Sequence, residues 1–144
     1  ACARPWPYTC TSEINAANNT IRNTLPGRLD GLYGAIRSRA PNAKVIVVGY
    51  PKIFNGEECN ILARISPGEQ SSLNQTADLL ATTIAARAAA HGFTYVDPRS
   101  AFTGHAVCDD VEWLNGLSNP TSESYHPNRN GQSAGYTPLV AARM

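Results

Sequence analysis

"KVIVVG", residues 44–49, decides how the rest of the chain is read. Residues 45–48 are all β-branched and no polar position interrupts them, so neither face of the segment is assigned to water. A short run of that kind reads as a buried parallel strand with helices on both faces. Upstream, Ile14, Ala17, Ile21, Leu25, Leu29, Leu32 and Ile36 recur in steps of three and four, one face of a helix. Ser12 stands where an N-cap is expected, Pro26-Gly27 interrupts the pattern, and the helical signal ends near Ala40-Pro41-Asn42. The segment is therefore one kinked helix or two consecutive ones.

Downstream of the strand, residues 50–67 read as a loop containing Cys59. Ser66-Pro67-Gly68-Glu69 then forms a capping box with Pro at the first helical position. The helix it opens carries Leu73, Ala77, Leu80, Ile84 and Ala88 and stops at His91-Gly92. "FTYVD", residues 93–97, is a second strand, an irregular segment fills 98–125, and a short closing helix covers roughly 130–142. Helices alternating with strands make an α/β domain with a parallel sheet. Only two strands are evident, and a two-stranded parallel sheet cannot cover itself, so part of the sheet is expected from elsewhere.

The 144 residues are the size of one domain, 42% apolar and 16% charged. Twelve basic residues against eleven acidic ones give a net charge of +1 with no basic cluster, which disfavours nucleic acid and anionic membrane as partners. No apolar run approaches the ~18 residues needed to span a bilayer, so no stable membrane insertion is expected. Cys2, Cys10, Cys59 and Cys108 are widely spaced without a CxxC, so two disulfides in an exported protein fit better than zinc or redox chemistry. Three pairings are open on these grounds, although Cys2 and Cys10 are near enough to close a local loop. The only lysines are Lys44 and Lys52, and the chain opens at Ala1 without an initiator Met, as a processed or cut piece would.

Two signals for chemistry lie seven residues apart in "ESYHPNRNGQSAGY", residues 123–136. Gly131-Gln132-Ser133-Ala134-Gly135 spells the G-x-S-x-G of a nucleophile elbow, which requires a strand running into the turn and a helix leaving it. Ser133 follows Tyr-His-Pro-Asn-Arg-Asn, which is no strand, and neither His, Asp nor Glu follows it. It reads as a small polar residue in the first turn of the closing helix. His126 ends a long loop after a strand, where open α/β sheets place their chemistry, and Pro127 disfavours helix at it. It suits a general base whose second ring nitrogen is held by a nearby oxygen, with Glu123 three residues away for that role. The plain alternative is a surface-loop histidine. His91 reads as a helix-terminal side chain on the last carbonyls, and His105 as pocket-lining or structural. Asp109, Asp110 and Glu112 read as a solvated turn before a cation site. Trp113, Leu114 and Leu117 face substrate or form loop core.

The stretches "LPGRLDGLYGAIRSRAPNAKVIVVGYP", "RAAAHGFTYVDPRSAFTGHAVC" and "WLNG…ESYHPNRNGQSAGY" closely resemble the C-terminal part of secreted actinobacterial SGNH (GDSL-type) hydrolases, a group of lipases, esterases and phospholipases A. The resemblance runs over nearly the whole chain, and residues 123–131 carry its most specific motif. It implies a flavodoxin-like, three-layer α/β/α fold with a parallel sheet, of which residues 1–144 are the C-terminal portion of a single domain. It implies that His126 is the catalytic base of a Ser-His dyad or triad, oriented by Glu123 or by a main-chain carbonyl such as that of Ser124. It also implies the pairings Cys2–Cys10 and Cys59–Cys108, and no metal or cofactor.

The family's Gly-Asp-Ser nucleophile and Gly-x-Asn-Asp oxyanion block occur nowhere in the chain. The nucleophile is therefore expected upstream, on an N-terminal fragment of the same hydrolase, and residues 1–144 alone are expected to be inactive. The implied function is hydrolysis of carboxylic esters or lipids by a secreted, extracellular enzyme. A carbohydrate acetylesterase of the same fold and a non-catalytic lipid- or glycan-binding module are the alternatives.

Overall fold

The computed structural model describes residues 9–60 and 64–144. Helices α1 (Thr11–Asn23) and α2 (Leu25–Arg39) are separate, divided at Thr24 and with Pro26 in the first turn of α2. The second of the two expected arrangements is thus the one adopted. Within α2, Tyr33 turns into the core beside Leu29 and Ile36, while Leu32, expected on the apolar face, is 55% exposed.

Ser12 is not the N-cap of α1. That position belongs to Cys10, whose N–H donates to Glu69 Oε1 at 2.9 Å, while the Ser12 hydroxyl bonds Glu13 beside it. The start of α1 is therefore set by a contact 59 residues away in sequence. Glu69 serves two helices, because it also completes the capping box of α3 (Pro67–Ala90) with Ser66. The Ser66 hydrogen bond, helped by the main-chain N–H groups of Cys10 and Ser66, holds its carboxyl below the usual range.

Strands β1 (Ile46–Val48) and β2 (Thr94–Val96) pair in parallel, with Ile46 opposite Thr94 and Val48 opposite Val96. The Thr94 N–H donates to the Val45 carbonyl at 3.0 Å and the Gly49 N–H to the Val96 carbonyl at 2.9 Å, so the hydrogen-bonded ladder fills the segment read from sequence. Val45, Val47 and Tyr95, with Leu29 and Ile36 of α2, pack on a cluster of Tyr33, Ala88 and Phe93. The expected burial on both faces does not hold in full, since Val48 is 40% exposed and the edge of β1 away from β2 has no neighbour among the described residues.

α3 ends as expected, at His91 with Gly92 in the left-handed region (φ 66°). The His91 side chain corrects its reading. Its Nε2 pairs with Asp30 Oδ1 on α2 at 3.1 Å, and Arg87 meets the same carboxylate at 3.3 Å, so the imidazole ties two helices together. At the far end of β2, Arg99 grips Asp97 through two nitrogens and reaches Asp78 on α3, which also pairs with Lys52. That cluster fastens the loops after both strands to α3.

The loop after β1 and the irregular segment after β2 together build a second core from Phe54, Ile65, Phe102, Val107 and Leu114, against which Trp113, Tyr125 and Tyr136 pack. Leu114 and Trp113 are loop core, whereas Leu117 is 39% exposed. The Cys59–Cys108 disulfide closes this layer, beside a parallel bridge between Phe54 and Val107. Cys2, and with it the Cys2–Cys10 pairing, lies outside the described residues. Among the described residues no helix is long and apolar enough to cross a membrane. A π-helical turn, Gly131–Tyr136, runs directly into the short α4 (Thr137–Ala141).

Candidate active site around His126

His126 is held in place by its backbone before its side chain is considered. The segments 113–116 and 125–128 clasp each other: Asn115 N–H donates to the His126 carbonyl at 2.9 Å, Tyr125 N–H to the Asn115 carbonyl at 3.0 Å, and Asn128 N–H to the Trp113 carbonyl at 2.9 Å. Asn128 Nδ2 adds a bond to the Glu112 carbonyl at 2.8 Å. Tyr125, immediately before His126, sits in the left-handed region at φ 62°, a conformation uncommon for an aromatic residue. Its ring lies against Phe54 with centroids 5.8 Å apart, which offsets part of the strain.

The imidazole itself is exposed, and its Nδ1 lies 3.1 Å from the hydroxyl of Tyr50, which also donates to the Tyr125 carbonyl at 3.0 Å. Tyr50 follows Gly49 at the carboxyl end of β1, so the contact fastens the loop histidine to that end of the sheet. Burial pushes the Tyr50 phenol upward, which keeps it protonated near neutral pH. Nε2 makes no hydrogen bond among the described residues, and the side chain is exposed.

Glu123 and Ser124 make their hydrogen bonds within the loop that carries His126. The Glu123 side chain is exposed and its carboxylate bonds nothing among the described residues, while its carbonyl accepts the His126 N–H at 3.3 Å and Asn115 Nδ2 at 3.0 Å. The Ser124 hydroxyl accepts the Ser118 N–H at 3.0 Å. Both residues therefore shape the loop through contacts other than a side-chain bond to His126. Tyr50 was not among the residues singled out from sequence. Its place directly after the strand-ending Gly49 was the available signal.

The G-x-S-x-G glycines have a packing reason. A Cβ on Gly131 would fall within 2.2 Å of the Trp113 carbonyl oxygen, and one on Gly135 within 2.6 Å of the Phe102 ring. Ser133, between them, is exposed on the π-helical turn with no strand before it. The spacing is therefore that of a turn pressed against Trp113 and Phe102. Ser133→Ala is expected to change stability by no more than ~0.5 kcal/mol, whereas Gly131→Ala is expected to destabilise by ~1–3 kcal/mol because the obstructing atom is backbone. Denaturant unfolding of the two variants checks this pair.

The remaining polar residues close loops. His105 stacks on Trp113 with ring centroids 3.8 Å apart and bonds the Val111 carbonyl through Nδ1 at 2.7 Å, a structural placement. Asp109 accepts from the Ala106 N–H and Asn55 Nδ2, and Glu112 from the Cys108 N–H. No group of His, Cys, Asp or Glu suited to a metal ion is found among the described residues.

Comparison with known proteins places these features. The sequence profile of the GDSL-like Lipase/Acylhydrolase family matches residues 5–134. Lipase 1 of Streptomyces coelicolor is 44% identical over 141 residues, covering 96% of this chain and 52% of that protein. The lipase of Streptomyces rimosus is 41% identical over 140 residues with the same coverage. The crystal structure of the extracellular lipase from S. rimosus superposes with a TM-score of 0.88 at 40% identity, over 94% of this chain and 57% of that one. Phospholipase A1 from Streptomyces albidoflavus gives a TM-score of 0.84 at 39% identity, with the same coverage. The chain thus spans about half the length of the curated relatives it matches. On the extent of that match, and with the parallel sheet and loop histidine in place, the chain belongs to the GDSL-like Lipase/Acylhydrolase family.

Proposed function

We propose that residues 1–144 form the base-bearing, C-terminal portion of a single SGNH domain that hydrolyses carboxylic esters, with the serine nucleophile on the upstream portion. The observation that carries this reading is the exposed His126, tied through Nδ1 to the carboxyl end of the sheet and unengaged at Nε2. In the reaction, Nε2 takes the hydroxyl proton as the serine oxygen attacks the acyl carbon. The tetrahedral oxyanion collapses to an acyl-enzyme as the imidazolium returns its proton to the leaving alcohol. Water, deprotonated by the same nitrogen, then attacks the acyl carbon; the acyl–serine bond breaks, the imidazolium returns its proton to the serine oxygen, and the acid is released. No metal or cofactor enters.

The upstream portion is proposed to supply strands at the open edge of β1, where Val48 is left 40% exposed. Lipids or other acyl esters are the proposed substrates, since the relatives are named as lipases and one solved neighbour as phospholipase A1. Export is supported by the Cys59–Cys108 disulfide and by the likeness to the S. rimosus lipase, an extracellular protein.

Glu123 and Ser124 are the orienting candidates that the family pattern offers. Because the Glu123 carboxylate is exposed and unbonded, Glu123→Gln in the full-length protein is expected to keep p-nitrophenyl ester turnover within about threefold. A drop of two orders of magnitude would return the orienting role to the carboxylate.

A fluorophosphonate probe tests the proposal as a whole. It is expected to label a serine upstream of this chain in the full-length protein and none of the serines in residues 1–144. Turnover of medium- and long-chain acyl esters and of phospholipid should accompany that labelling. Labelling at Ser133, or a full-length protein inert towards every acyl ester, would overturn it.

A further inference from the structure

We propose that Tyr50 is a positioning residue for His126, its hydroxyl accepting the Nδ1–H of the ring and passing the hydrogen bond on to the Tyr125 carbonyl. The inference rests on the reading of His126 as the base. A phenol has one proton, and the Tyr125 carbonyl, 3.0 Å away, can only accept it. The Tyr50 oxygen is then left with lone pairs towards Nδ1, 3.1 Å away, so Nδ1 must be the protonated nitrogen of the neutral ring. That leaves the lone pair on Nε2, which is the tautomer a base acting on an external hydroxyl requires.

The surroundings hold Tyr50 for this task. The Tyr136 hydroxyl donates to the Gly49 carbonyl at 3.2 Å, fixing the peptide that leads into Tyr50, and the fully buried Pro51 fixes the one that follows. The Tyr50 ring meets the imidazole edge-on, with centroids 6.3 Å apart and planes at 83°. The same hydroxyl also secures the carbonyl of Tyr125, the left-handed residue that turns His126 outward. One oxygen thus sets both the direction of the backbone and the tautomer of the ring. It is a neutral acceptor, in the position where hydrolytic triads commonly place a carboxylate.

The test is Tyr50→Phe in the full-length protein, with His126→Ala as its control. Expected is a fall in kcat for a p-nitrophenyl acyl ester of ~10- to 100-fold with KM little changed, as misplacement of a catalytic group costs. Nitrogen-15 NMR of the His126 ring is expected to show protonation at Nδ1 in the native protein and a mixture of tautomers in the variant. If His126→Ala abolishes turnover while Tyr50→Phe keeps native kcat and the native tautomer, Tyr50 has no positioning role and the base assignment stands. Loss of thermal stability with kcat and tautomer unchanged would equally overturn the inference, since it marks a purely structural hydroxyl. Turnover surviving His126→Ala would instead remove the reading on which the inference rests.

Discussion

Replacing His126 with Ala in the full-length protein is expected to lower ester turnover by roughly 1,000-fold, with the fold intact. The side chain is exposed, so its removal opens no cavity in either core. The position of the residue is set by main-chain bonds to Asn115 and Glu123, which Ala retains. What is lost is the group proposed to take the serine proton and give it back. The stability of the variant should stay within ~0.5 kcal/mol of native, as for most exposed substitutions. Steady-state kinetics on a p-nitrophenyl ester together with denaturant unfolding separate the two effects. A variant that keeps native turnover, or one in which turnover collapses for Ser133→Ala instead, would place the base elsewhere.

Removing the Cys59–Cys108 bridge by a paired substitution to Ala is expected to destabilise the protein by ~4 kcal/mol. The two cysteines are 49 residues apart in sequence, and an unfolded chain released from so long a loop gains considerable conformational freedom. The bridge also stands over the second core. It joins the segment holding Phe54 to the one holding Val107, whose N–H donates to the Ile53 carbonyl at 2.9 Å. Phe54 in turn supports the ring of Tyr125. A reducing agent is therefore expected to lower the melting temperature by many degrees, and turnover near the native melting range should be lost first. A melting curve indifferent to reductant would show that noncovalent packing between the two loops is sufficient.

Both results depend on features that differ in how openly the residues declare them. The two strands were legible because short runs of β-branched and aromatic residues, one closed by Gly49 and the other by Asp97-Pro98, favour the extended conformation. The start of α3 was legible because a capping box is complete within four consecutive residues. α1 was misplaced at its first turn for the opposite reason, since Cys10 becomes its N-cap through a bond to Glu69 on another helix. His91 was misread in the same way, because Asp30 reaches it across a helix pair rather than along one. His126 stood out from its loop, its proline and its family resemblance, yet the hydroxyl in hydrogen-bond contact with its Nδ1 is 76 positions upstream. The local pattern could point only to Glu123 and Ser124, which lie beside His126 in the chain. A spacing pattern registers that glycines recur around Ser133; the contacts with Trp113 and Phe102 register why nothing larger fits.

The hydrogen-bonded path from His126 through Tyr50 to Tyr125 lies wholly inside this chain. If His126 is the base and the nucleophile lies upstream, as proposed, the base and its supports belong to one continuous stretch of chain. The base then behaves as a transferable part. On that proposal, a chimaera that joins this segment to the upstream portion of a related lipase inherits an imidazole already hydrogen-bonded to Tyr50. The junction has to restore only the seating of one portion on the other, so turnover in a set of such chimaeras would track how well the open edge of β1 is covered.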